Sequence, residues 1–153
     1  MNRSLAELAL SLALDAPEQC RLRLAFGLAC AERVRHFLTD PQAAAALDAL
    51  AEHLSGKATE QSLADQAALV AALARSHPGS PSLDGCGHAA VSATGAVACA
   101  LTGQARQAAA YAAYALVYGE GGYGAVTDPT AFEREYAWQV DCLRQLAAQT
   151  TEP

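Results

Sequence analysis

The sequence predicts an all-α fold, a single domain of about six to seven helices around a tightly packed central hairpin of alanine and glycine. Hydrophobic residues make up 52% of the 153 residues but aromatic residues only 6%, because alanine dominates the apolar count. Alanine has the highest helix propensity, and the β-branched residues that favour strands are sparse. Apolar residues also recur at steps of three and four between Pro- and Gly-containing breaks. A chain of this length normally forms one domain with one core, so we assign all of it to one helical domain.

The first two predicted helices are separated by the sequence Asp-Ala-Pro-Glu. An amphipathic helix is expected over residues 4–14, rather than the signal peptide that this apolar run weakly imitates. Asp15 then has the position of an N-cap, with Glu18 as its capping-box partner and Pro17 in a first turn that needs no amide donor. We expect the second helix to run from there to about residue 38.

Asp40 and Pro41 repeat this pattern and predict the start of a third helix. That helix is expected to end at Ser55, because Gly56 is suited to a left-handed C-cap. Two prolines and a glycine then predict a loop after the fourth helix. The fourth helix and this loop are expected to cover residues 59–76 and 77–81.

Residues 82–119 consist almost entirely of small side chains. They predict two helices, residues 83–101 and 104–118, with a break at Gly103, because one unbroken helix would be about 50 Å long. Small residues step by four along one side of the first of these helices, so a neighbouring helix can approach it closely. These residues are Gly87, Val91, Gly95 and Cys99.

Tyr111, Tyr114 and Tyr118 lie at steps of three and four on the second central helix. They form an aromatic stripe, which is more often part of a core than a ligand cage. We therefore expect these rings to be buried, with their hydroxyl groups reaching the rim of the core.

A glycine-rich segment, residues 119–128, follows this helix and contains a literal G-x-G-x-x-G sequence. A helix precedes it instead of a strand, and no βαβ unit surrounds it, so we do not interpret it as a nucleotide site. We expect a flexible connection that could form part of a binding edge.

Asp128 and Pro129 then open the last helix. Its single tryptophan, Trp138, lies off the main apolar stripe and is interpreted either as a packing residue or as a partner anchor.

The formal charge is −6 and the pI is about 5.1. This balance disfavours nucleic acids and anionic membranes as partners and would attract a basic protein.

The five cysteines are odd in number and lie mostly in apolar runs, which indicates reduced core thiols in a cytoplasmic protein. No apolar stretch of about 20 residues predicts a membrane span.

The sequence carries no convincing catalytic, cofactor or metal constellation. Neither C-x-x-C, H-x-x-x-H nor E-x-x-H is present. Cys86 and His88, two residues apart near a helix start, are the best candidates for a thiolate and its base. We interpret Cys86 as an inert packing residue and His88 as a core or helix-start histidine.

Carboxylates on the third and fourth helices could form an acidic surface that fits a basic toxin or nuclease. The alternative is an ordinary solvated helix face. The carboxylates concerned are Asp40, Asp48, Glu52, Glu60 and Asp65.

Three segments in order suggest a family: LAFGLACAERV at 24–34, ALDALAEHLSGK at 46–57 and GHAAVSATGAVACALTG at 87–103. A late Trp138-Gln139 pair follows. Over residues 22–146 this order resembles the fifth class of immunity proteins from bacterial toxin systems. The resemblance implies a small all-α cytosolic protein that binds and neutralises a cognate toxin without catalysis.

Our leading hypothesis is therefore a non-enzymatic immunity protein of a toxin–antitoxin system, which captures a basic protein toxin by charge complementarity and aromatic anchors. One alternative is an enzyme or small-ligand binder with a cleft around Cys86, His88 and the tyrosine stripe. A second alternative is a structural helical homodimer. The candidate partner contacts are Asp48, Glu52, Tyr123, Arg134 and Trp138.

Overall fold

The computed structural model describes residues 1–76 and 86–151, and in these ranges the chain is an all-α bundle of seven α-helices without a strand. The predicted fold class is confirmed. The predicted loop at 77–81 and the predicted helix start at 83 lie outside the described residues. The helices are α1 Arg3–Ser11, α2 Cys20–Glu32, α3 Pro41–Leu54, α4 Glu60–Ser76, α5 Cys86–Leu101, α6 Ala105–Gly121 and α7 Glu133–Thr151.

Helices α5 and α6 form the central hairpin and have the most extensive helix contact in the bundle. Helix α2 packs on both, α3 and α4 pack on α5, and α7 packs on α2 and α6. A Cβ atom on Gly27 of α2 would lie only 3.1 Å from the Cα atom of Ala100 in α5. The backbones of these helices therefore approach as closely as the small residues predict. Gly103 has a φ of +76°, which allows the tight turn between α5 and α6.

The segment between α1 and α2 differs from the prediction. Helix α1 ends at Ser11, and a 3₁₀ turn, Pro17–Gln19, precedes α2. The residue that caps this turn is Ala16, without a side-chain hydrogen bond, so the capping box proposed for Asp15 is wrong. Asp15 instead forms an ion pair with Arg106 of α6.

Helix α2 is also shorter than predicted, because it ends at Glu32 and a separate 3₁₀ turn, Arg35–Phe37, follows it. The ring of Phe37 from this turn lies directly against Gly119 of α6, where any side chain would collide with it. The turn that follows α2 therefore packs on a residue that is distant in the sequence.

The third and fourth helices agree with the prediction within one residue. Asp40 accepts a hydrogen bond from the backbone N–H of Gln42 at 2.8 Å, and Pro41 is the first helical residue. Gly56 has a φ of +81°, which only glycine adopts without strain. Ala43, Leu47 and Leu50 are fully buried on the inner face of α3.

The predicted flexible segment at 119–128 is largely helical. Helix α6 continues to Gly121, and Gly122, at φ +81°, leads into a 3₁₀ turn, Tyr123–Thr127. Asp128 caps the next 3₁₀ turn, Pro129–Phe132, which leads directly into α7, and its side chain accepts from the N–H of Thr130 at 3.0 Å. None of the helices in the described ranges has the length and apolarity that crossing a bilayer requires.

Candidate functional site

Four tyrosines form a surface on α6 and on the turn after it. This tyrosine surface consists of Tyr111, Tyr114, Tyr118 and Tyr123. Tyr111, Tyr114 and Tyr123 are 44%, 43% and 50% exposed, and Tyr118 is partly buried. The prediction that the α6 tyrosines belong to the core is therefore wrong.

The physical reason is the close packing of the central hairpin. The inward positions of α6 are taken by small residues, and Ala108, Ala109, Ala112 and Ala115 are fully buried. A tyrosine at these positions would push α6 away from α2 and α5. The rings therefore lie at the edge of the α6 contact faces. There the Tyr111 ring covers Gly95 of α5, on which an added Cβ atom would lie 2.9 Å from the ring.

His88 joins the tyrosine surface from the first turn of α5. Its ring centroid lies 5.0 Å from that of Tyr118 and 4.9 Å from that of Tyr123, and the first pair is stacked. The structure thus supports the helix-start interpretation of His88, and it brings His88 together with two of the tyrosines. Cys86, the other member of the catalytic alternative, is exposed at the first position of α5, so its interpretation as a packing residue is wrong.

The aromatic contacts continue from the tyrosine surface to α7. The Tyr114 ring meets Phe132 edge-on at 5.2 Å, and Phe132 lies 5.4 Å from Tyr136. Phe132 is buried in a small satellite core with Ala113 and Val117. Burial raises the pKa of the Tyr136 hydroxyl. The exposed Tyr114 ring therefore packs on the buried ring of Phe132.

A second cluster links α7 to the end of α2. Arg33 donates a hydrogen bond to the Glu135 carboxylate at 2.5 Å, and its guanidinium carbon lies 4.2 Å from the centroid of the Trp138 ring. The hydrogen bond to Glu135 raises the pKa of the Arg33 guanidinium. Trp138 is partly buried against the core, which agrees with its interpretation as a packing residue.

The Glu135 side chain is only 5% exposed, although a carboxylate is normally expected on a solvated face of a helix. The sequence reasoning also missed Arg33, its partner from α2. A signal was present: Glu135, Trp138 and Cys142 lie at steps of three and four and mark a second covered face of α7. The pairing of Glu135 with Arg33 could not be predicted from the sequence, because the two residues are brought together only by the packing of α7 on α2.

Arg134 is exposed at the start of α7. It lines a cleft of about 280 Å³ between the ends of α2 and α6 and the beginning of α7. Arg33, His36, Glu120 and Glu135 also line this cleft, so arginines and carboxylates both face it. Arg134, one of the predicted partner contacts, therefore lines the same cleft as Arg33 and Glu135. Arg33 in turn contacts Trp138, a second predicted partner contact.

The predicted acidic contacts are exposed on α3, but one of them is partly neutralised. Asp48 forms an ion pair with Arg35 at 2.8 Å, and Arg35 also pairs with Glu32 at 3.0 Å. Glu52, one turn after Asp48, is exposed. Glu32, Asp48 and Glu52 together outnumber Arg35, so this part of the surface retains a net negative charge. The negative electrostatic potential is weaker than the three carboxylates would produce without Arg35.

Three of the five thiols, those of Cys30, Cys99 and Cys142, lie in environments that suppress their ionisation. Cys20 and Cys86 are exposed, so the prediction of core thiols is wrong for these two. Cys30 is fully buried, and this burial raises its thiol pKa well above the usual value. Burial also raises the thiol pKa of Cys99 and Cys142. Among the described residues no disulfide is present, and no three His, Cys, Asp or Glu side chains converge as metal ligands would.

Comparison of the chain with protein families, with curated proteins and with solved structures finds no match. The resemblance to the immunity family therefore stays a prediction. The arguments that follow rest on the residues and contacts described above.

Proposed function

We propose that this chain is a non-enzymatic, immunity-type protein that captures a basic protein toxin on the tyrosine surface. The observation that carries the proposal is the exposure of Tyr111, Tyr114 and Tyr123, between 43% and 50%, on one helix and the turn that follows it. Tyrosine is enriched in protein interfaces and among the residues that dominate binding energy. A surface of adjacent exposed aromatic rings is typical of a binding site.

Three of the four rings also pack on neighbouring rings in the chain itself. Tyr118 and Tyr123 pack against each other and against His88, and Tyr114 packs on the buried Phe132. A rigid aromatic surface loses little conformational entropy on binding, so more of its contact energy contributes to affinity. This arrangement supports a recognition role for the surface.

The net charge of −6 supports a basic partner. Opposite net charges accelerate the encounter of two proteins and fix their relative orientation. Lysine and arginine side chains of the partner can also lie over the tyrosine rings, each contributing about 0.5–1 kcal/mol at an exposed site. Asp48 and Glu52 on α3 extend the acidic character of the chain beyond the aromatic contact.

Arg134 and Trp138 lie beside a mixed-charge cleft, and we place them at the periphery of the proposed interface. Charged groups at an interface rim contribute more to specificity than to affinity. The packing of His88 between two tyrosines supports a role in shaping this surface instead of acting as a catalytic base.

Site-specific photo-crosslinking in the native cell tests the proposal. A photoreactive phenylalanine analogue at Tyr123 is expected to trap one basic protein. The same analogue at Leu69 of α4, which is 47% exposed and thus equally accessible, should not trap it. The trapped protein should arrest growth when it is produced alone.

Two outcomes would contradict the proposal. Equal adducts from Tyr123 and Leu69 would show that the tyrosine surface has no special role. A trapped partner that is acidic, or that is harmless when produced alone, would remove the toxin-binding function.

A further inference from the structure

A second surface feature is a cleft of about 480 Å³ between α1, α6 and α7. Its volume lies within the range of small-molecule sites, about 300–1,000 Å³. Most of its lining is apolar or aromatic, with a few amide groups and one arginine. The residues from α6 are Arg106, Gln107, Ala110 and Tyr114, and the opposite sides include Leu5, Ala6, Tyr136 and Gln139.

The cleft exists because α1 is fastened to α7 and does not close against α6. Asn2 donates to the backbone carbonyl of Tyr136 and to the side-chain oxygen of Gln139, each at 3.2 Å. Gln139 is fully buried and donates in turn to the carbonyl of Ala109 in α6 at 2.8 Å. This network fixes the separation of the three helices, and Ala110 is too small to fill the gap that remains.

The chemistry of the cleft changes along its length. Arg106, Ala110 and Tyr114 step by four along α6, so they form a ridge of about 12 Å. A cation lies at one end, a small residue at the centre and an aromatic ring at the other end. An elongated ligand with one anionic end would match this order.

The cation is available to such a ligand. The ion pair between Arg106 and Asp15 is long, at 3.4 Å, and the two side chains are 51% and 79% exposed. Exposed pairs of this kind contribute little, so a ligand carboxylate can compete with Asp15. A guanidinium group binds a carboxylate through two parallel hydrogen bonds, which adds geometric specificity.

We propose that this cleft binds a free medium-chain fatty acid. The carboxylate pairs with Arg106, and the alkyl chain lies along Ala110 and Leu5 with its end near Tyr114 and Tyr136. The cleft shares Tyr114 with the tyrosine surface but is not lined by Tyr111, Tyr118 or Tyr123, and the proposal does not rest on toxin binding.

Isothermal titration of the full chain with octanoate, and with 1-octanol as the neutral probe of equal length, tests this assignment. We expect one octanoate per chain, with a dissociation constant below about 1 mM, which is within reach for a ligand of this size. Arg106→Gln should weaken octanoate binding about tenfold and leave 1-octanol binding unchanged, because only the charge-assisted contact is lost. Asp15→Asn should strengthen octanoate binding two- to threefold, on the order of an exposed pair.

Two further variants make the result decisive. Ala110→Phe fills the middle of the cleft from an exposed position and should abolish binding, with the helical circular dichroism of the chain unchanged. Arg144→Gln removes another exposed arginine, paired with Asp141 at 3.5 Å, and should have no effect. The proposal is overturned if octanoate does not bind, if Ala110→Phe binds it normally, or if Arg106→Gln and Arg144→Gln behave alike.

Discussion

The contact between Arg33 and Glu135 connects α2 to α7, and truncating Arg33 to alanine should measurably destabilise the bundle. Glu135 is 5% exposed, so the variant leaves a nearly buried carboxylate without its cation. A lost hydrogen bond to a charged group costs about 1.5–3 kcal/mol, and the lost contact with the Trp138 ring about 0.5–1 kcal/mol more. Because the Arg33 side chain is 35% exposed, water replaces part of the interaction. We therefore expect a loss of about 2–3 kcal/mol, towards the lower end of that sum.

Urea unfolding followed by far-ultraviolet circular dichroism measures this loss directly. In the Arg33→Ala background, Glu135→Leu should restore at least half of the stability, because most of the cost comes from the unpaired carboxylate. Arg144→Ala breaks an exposed pair with Asp141 and should change the free energy of unfolding by less than about 0.5 kcal/mol. An Arg33→Ala variant as stable as Arg144→Ala would refute the reasoning, as would the absence of any recovery in the double variant.

Three further predictions concern the core. Gly27→Val should lower the free energy of unfolding in urea by about 2–3 kcal/mol, because the valine side chain would collide with the backbone of Ala100. Gly124→Val is the control and should lower it much less, because the space around the added Cβ atom is open. Stability should fall as the pH rises above about 8.5, where the Cys30 thiol ionises in the unfolded chain but not in the folded one, whose pKa is raised by burial. Cys30→Ala should therefore show a shallower decline between pH 8 and 10, and an equal decline would exclude this cause. Gln139→Ala should lower the free energy of unfolding by about 2–4 kcal/mol. The variant leaves a cavity, and it removes one of the two acceptors of the Asn2 amide and the donor to the Ala109 carbonyl. A smaller loss would show that α1 is not held by this network.

The starts and ends of several helices could be predicted because local chemistry determines them. Asp40 and Pro41 specify the beginning of α3 through a cap and a preset φ angle, whichever helix lies nearby. Gly56 and Gly103 end their helices at positive φ angles. The close packing of the central hairpin could also be predicted, because small side chains permit no other kind of helix contact.

Other features depend on contacts that the local sequence does not contain. Helix α2 ends at Glu32, and the turn after it places Phe37 on Gly119, a residue of another helix. The periodicity of Tyr111 and Tyr114 is the same for a buried and an exposed stripe, so only the close approach of the neighbouring helices decides which one forms. Glu135 is buried in an ion pair with Arg33 of α2. The spacing of residues within α7 could not reveal a partner on another helix.

A genetic complementation experiment tests most directly whether the tyrosine surface neutralises a toxin. Deleting the gene for this chain from its native cell should arrest growth, and deleting the gene for the trapped partner as well should restore it. Wild-type protein should rescue the single deletion, whereas the folded variant with Tyr111, Tyr114 and Tyr123 all changed to alanine should not. Normal growth of the single deletion while the partner is being produced, or full rescue by the triple variant, would contradict the account.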